Sequence, residues 1–232
     1  MRRAGASRLT SSVISASASC AALLTVAAAD ASVLRYADAV VQVSYGGGRQ
    51  HPNFSNPQSV LGMTDYSGGP FGTGAYSLGT GGSIVVRMAV PFRGSGDGQP
   101  DLVISEIGPS EGGSAEGTAI EVSADATTWT SVGSLSGGVG SIDLDAHGIG
   151  DAASMRFVRI VDLSFNPGVP AGADVDSVKA AFFSPDLNSD GTVDALDLAI
   201  LLGAWGQAGI GDLDDSGAVD AVDLSVLLGA WG

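Results

Sequence analysis

Two stretches near the C-terminus place oxygen-bearing side chains at alternating positions around a glycine. The first, "DLNSDGTVDALD", covers 186–197, and the second, "DLDDSGAVDAVD", covers 212–223. The longer segments 186–206 and 212–232 agree at 14 of 21 positions at an offset of 26, so the unit is duplicated. In the first copy Asp186, Asn188, Asp190, Asp194 and Asp197 fall at loop positions 1, 3, 5, 9 and 12, with Gly191 at position 6. Thr192 at position 7 is expected to offer its backbone carbonyl. The second copy supplies Asp212, Asp214, Ser216, the carbonyl of Ala218, Asp220 and Asp223, with Gly217 at the turn. Calcium takes about six to eight oxygen donors, and a short loop converges them only by turning sharply, which the glycine permits. The pattern predicts two calcium ions, one per loop. An acidic solvated linker would keep no register between copies, and here the register holds. Val193 and Val219, at position 8, are apolar, as expected if the two loops pair there. The first loop is expected to bind more tightly, because Asp190 stands where the second loop has Ser216. Asp214 against Asn188 offsets part of that difference.

Each loop must be held by its flanking elements. Pro185 stands directly before Asp186, and "GQAGIG" precedes Asp212, so neither loop has an incoming helix. Exiting helices are predicted over about 195–205 and 221–231. Position 12 is Asp in both copies rather than Glu. A duplicated loop–helix of this kind over residues 185–232 resembles the dockerin module of cellulosome-type secreted bacterial proteins. The resemblance implies docking to a cohesin-like module on a scaffold or cell surface, in a setting of polysaccharide breakdown. Many dockerins carry hydroxyl pairs at positions 10 and 11; here they are Ala195-Leu196 and Ala221-Val222. Partner binding is therefore expected to rest on Leu196, Leu202, Val222 and Leu228. Trp205 and Trp231 occupy equivalent places and suit either a core or an exposed anchor.

The start of the chain is of another kind. Arg2, Arg3 and Arg8 precede a Ser- and Ala-rich apolar run ending in Ala29-Asp30-Ala31, the layout of a secretory signal over 1–31. The run is too weakly apolar for a membrane span. Ser17 stands where a lipidation site at Cys20 would have Leu. Cys20 is the chain's one cysteine, so a processed chain would have none and would need some other stabiliser. Cleavage would leave seven basic against 24 acidic residues, a net charge of −17. Such a surface repels nucleic acid and anionic lipid and suits divalent cations. The expected location is extracellular, at the cell surface.

Residues 32–181 read as the body, and 182–232 as the appended module. The body is rich in Gly and Ser. Short apolar or alternating runs recur, at 39–45, 82–90, 101–107, 118–124, 129–135, 156–163 and 174–183, with turn residues between them. This predicts a mainly β fold of about eight strands, closed as a jelly-roll β-sandwich. The segments "YADAVVQVSYGGG", "VLGMTD", "SLGTGGSIVVRM", "DLVISEIG", "EVSADATTW", "RFVRIVD" and "AGADVDSV" are similar to secreted cell-surface sandwiches of the galactose-binding, discoidin-like type. That resemblance implies carbohydrate binding at loop ends and a third, structural calcium.

Candidate site residues in the body are Glu106, Trp129, Asp174 and Asp176. Glu106 suits either a strand-end cap or a ligand, and Trp129 suits packing or sugar stacking. Arg156 and Arg159 are expected to pair with acids across the sheet. "GPSEG" at 108–112 has the form of a hydrolase nucleophile turn but no helix after it, and so reads as a loop. His51 and His147 lack ligand-spaced partners. The four glutamates, at 106, 111, 116 and 121, are few for a glycosidase. The reading is a non-catalytic attachment protein with no catalytic residues assigned. The alternatives are a glycoside hydrolase with its site in the sandwich loops, and a dockerin used as a sorting tag on a surface protein.

Overall fold

The computed structural model describes residues 36–68, 72–96, 98–107, 116–150, 153–164, 170–181, 183–188, 190–214 and 216–232. The signal segment with Cys20, the "GPSEG" stretch and Glu111 lie outside them. Among the described residues nine strands form: β1 (Ala37–Ser44), β2 (Tyr76–Ser77), β3 (Ser83–Phe92), β4 (Leu102–Glu106), β5 (Gly117–Ser123), β6 (Thr130–Ser136), β7 (Val139–Ile142), β8 (Met155–Asp162) and β9 (Asp174–Ala180). After them come two helices, α1 (Ala195–Gly203) and α2 (Ala221–Gly229).

The strands make one five-stranded sheet, β1-β3-β8-β5-β6, and one four-stranded sheet, β2-β9-β4-β7. All of the pairings are antiparallel. With β1 set aside as an added edge, the two orders interleave as a double Greek key, the jelly-roll arrangement. Alternation in the sequence explains which faces meet. Ile84, Val86 and Met88 of β3, Val158 and Ile160 of β8, and Ile120 and Val122 of β5 point inward. They meet Leu102 and Ile104 of β4 and Val175 and Val178 of β9 in one core. Each such side chain, fully buried, stabilises the fold by about 1.5–3 kcal/mol. Two strands, β2 and β7, have no counterpart among the predicted runs.

A second core joins the helices to the end of the sandwich. Leu201 of α1 and Leu227 of α2 are buried with Leu187, Leu213 and Val219, and also with Val90 of β3 and Phe183. The helices end at Gly203 and Gly229, short of the predicted 205 and 231, where the chain turns away at Ala204 and Ala230. Among the described residues no helix is long and apolar enough to cross a membrane.

Candidate functional site

The two acidic loops fold through the same hydrogen bonds. Asp186 Oδ1 and Oδ2 accept from Asp190 N–H and Gly191 N–H, each at 3.1 Å. Asp212 Oδ1 and Oδ2 accept from Ser216 N–H at 3.0 Å and Gly217 N–H at 3.1 Å. The turn needs φ of +91° at Gly191 and +97° at Gly217, where a Cβ is strained. Position 12 closes each loop from the helix. Asp197 Oδ1 accepts from Leu187 N–H at 2.7 Å and Asn188 N–H at 3.0 Å, and its Oδ2 from Asp194 N–H at 2.9 Å. Asp223 does the same with Leu213, Asp214 and Asp220. Both position-12 carboxylates are 0 % exposed.

Position 9 has a second task. Asp194 accepts from Leu196 N–H at 2.8 Å and Asp220 from Val222 N–H at 2.7 Å. Each therefore caps its helix, with the position-12 Asp completing a capping box. Position 8 corrects an expectation. Val193 and Val219 do not pair with each other. Val219 O instead accepts from Gly206 N–H, Val219 N–H donates to Gln207 O, and Val193 O accepts from Gly232 N–H. With no incoming helices, each loop lies beside the chain leaving the other helix.

The second loop brings carboxylate oxygens of Asp212, Asp214 and Asp223 within 4.8 Å of one another. Three buried or half-buried hard donors at that spacing fit a divalent cation, and without one their charges repel. In the first loop, Asn188 takes the place of Asp214. Asp190 is turned to Thr192, whose N–H and Oγ donate to its Oδ1, and to Asn188, whose Nδ2 donates to its Oδ2. In the second loop Ser216 Oγ donates to the Ala218 carbonyl.

The residues proposed for partner contact stand out in matched pairs. Leu196 and Val222 are 60 % and 51 % exposed, Leu202 and Leu228 both 51 %, and Trp205 and Trp231 46 % and 45 %. Mutual packing of the helices consumes Leu201 and Leu227 but leaves these six open.

In the sandwich, Glu106 caps a strand end: its Oε2 accepts from Gly138 N–H at 2.6 Å. The neighbouring strand begins at Asp174, whose carbonyl accepts from Ile107 N–H at 2.9 Å. Asp174 Oδ1 is shut off from solvent with no hydrogen-bond partner. Burial, with Glu116 close by, pushes Glu106 up to about 7 and Asp174 up to about 8. Asp176 is elsewhere, buried, and accepts from Asp65 N–H at 3.3 Å. Trp129 lies under the Arg159 guanidinium, 4.5 Å from ring centroid to carbon, and Arg159 Nε pairs with Glu121 across β5 and β8. The ring is thus held as packing for an ion pair. His51 Nδ1 accepts from Asn53 N–H at 3.2 Å, and His147 sits on an exposed turn.

Sequence reasoning missed a second acidic group, Asp101, Asp143 and Asp145, whose carboxylate oxygens also lie within 4.8 Å of one another. Backbone donors already occupy it. Asp101, 0 % exposed, accepts from Ser95 and Leu144 N–H, and Asp145 accepts from Gly96 N–H. It ties three loops together. The spacing of Asp143 and Asp145 is a signal, but Asp101 joins them only through sheet pairing.

The raised pair gives a pH prediction. In the unfolded chain both carboxyls ionise near pH 4, whereas the folded ones hold their protons to about 7 and 8. The folded state then binds more protons in between. Its stability is fully present below pH 4 as far as these groups go, and falls as pH rises to about 8. Glu106 alone accounts for on the order of 3 kcal/mol. Urea midpoints from pH 5 to 8.5, in saturating calcium, should decline for the natural chain and decline less for Glu106→Gln. Parallel profiles would contradict this.

No protein-family model matches the chain, and no curated protein matches it. Among solved structures, a Xyl-CBM35 in complex with a glucuronic acid-containing disaccharide aligns with 60 % of this chain and 84 % of that one, at 12 % identity and a TM-score of 0.30. A score of that size is too low to carry a fold or a ligand across.

Proposed function

We propose that this chain is a secreted, non-catalytic attachment protein: a jelly-roll sandwich carried by a calcium-dependent docking module over 182–232. The observation that supports it is the duplicated site. Two loops with the same hydrogen-bond pattern each present a buried acid at positions 1 and 12, and the helices they hold expose equivalent apolar residues. The partner is a cohesin-type protein module on a scaffold or cell surface. The sandwich is the cargo, of carbohydrate-binding type by its sequence resemblance, within polysaccharide breakdown.

Similar exposure of the two faces supports two interchangeable docking modes. Recognition by Leu196, Leu202, Val222 and Leu228 rests on apolar burial, worth about 25 cal/mol per Å², which salt screens little. Binding of the full chain to an immobilised cohesin-type module should need calcium and survive ~0.5 M NaCl. Leu196→Asp or Val222→Asp alone should leave it nearly intact, and both together should abolish it. Loss of binding on either single change would rule out equivalent faces.

A second reading, glycoside hydrolysis, has one observation in its favour: Glu106 and Asp174 are neighbouring, largely buried carboxyls that hold protons near neutrality. Release of reducing sugar that Glu106→Gln eliminates would select it.

A further inference from the structure

The two loops are nearly the same in sequence, yet the sandwich grips the first of them at both its backbone and its position-1 side chain. The first loop begins where the chain coming from β9 passes the end of β3. Phe183 is bridged to Phe92, and its carbonyl accepts from the buried Arg93 Nε at 2.7 Å. Ser184, 1 % exposed, donates its N–H to Pro91 O at 2.8 Å. Pro91 interrupts the pairing of β3 with β8, between Arg87 and Phe92, which leaves that carbonyl for the incoming chain. The Ser184 hydroxyl in turn accepts from Asp186 N–H at 3.3 Å. The position-1 residue is thus fixed two residues beyond a clamped backbone.

The side chain of that residue is held from the sandwich as well. Ser154, just before β8, donates its hydroxyl to Asp186 Oδ2 at 3.3 Å, the oxygen that also accepts from Gly191 N–H. A cleft of about 450 Å³ opens at this seam, lined by Asp125, Arg156 and Phe157 of the sandwich and by Asp186 and Gly191 of the loop. The second loop is reached from within the module, where Asp212 N–H donates to Gly209 O at 3.0 Å.

We propose that the sandwich is part of the first calcium site, with Ser154 as a positioning residue for Asp186. This rests on the reading that the loops hold calcium. A hydroxyl bonded to a ligand carboxylate fixes its rotamer before the metal arrives, and removing such a partner typically costs 10–100-fold in affinity. Clamping the preceding backbone lowers the ordering cost of binding in the same way. Ser154 touches Asp186 and acts through it.

The test uses the full chain with one loop disabled at a time and calcium alone as the probe, read by calorimetry. Asp212→Ala reports the first loop, and Asp186→Ala the second. Ser154→Ala should weaken calcium about 10-fold in the Asp212→Ala chain. It should leave the Asp186→Ala chain unchanged, and Ser154→Thr should restore the lost affinity. No change in the first background, or equal loss in both, would overturn the proposal. Absence of calcium binding in both single-loop parents would overturn the loop reading beneath it, a result distinct from a silent Ser154.

Discussion

Asp197→Ala and Asp223→Ala are each expected to unravel the helical pair in saturating calcium and to cost about 3 kcal/mol from the lost hydrogen bonds alone. Both carboxylates are fully buried, and each accepts three backbone N–H groups, from the loop start and from the residue that caps the helix. Truncation orphans those donors together, at about 1–3 kcal/mol per buried donor, reduced where water enters at the half-exposed positions. It also removes a calcium ligand, which adds to the loss. Helical circular dichroism and the urea midpoint of the full chain would register it. A variant with unchanged helical signal in saturating calcium would show that the capping box does not hold the module.

Removing calcium from the natural chain should have an effect of similar size. Residues 185–232 hold nine Asp and no Lys or Arg. Their apolar core is small and borrows Val90 and Phe183 from outside the segment. At calcium about 100-fold above its dissociation constant each ion adds about 2.7 kcal/mol, so two add about 5 kcal/mol. Chelation should erase most of the helical signal and leave the β signal, because the sandwich core is a separate cluster. Equal helical content with and without calcium would contradict this.

How local each signal is decides whether the sequence discloses it. Alternation in "SIVVRMAV" and "RFVRIVD" reports which face of a strand is buried, and β3 and β8 form where that period lies. The two-residue β2 has no period to read, and β7, "VGSI", carries a glycine and one buried side chain. The loop residues are legible because twelve consecutive positions define them. The pairing at position 8 is not, since it depends on how two helices cross. Leu196 and Leu202 look like their buried neighbour Leu201 in sequence, and only packing of α1 against α2 separates them. Ser154 and Asp186 are 32 residues apart. Glu106 and Asp174 meet through the β4–β9 register. No spacing rule reaches contacts of that length.

Calorimetric titration of the full chain with calcium tests the duplicated site most directly. Two loop-bound ions per chain are expected, with dissociation constants on the order of 10⁻⁶–10⁻³ M. Asp186→Ala and Asp212→Ala should each remove one ion and together remove both. A chain that shows no saturable calcium heat, or that binds the same number of ions after both substitutions, would contradict the assignment of the two loops.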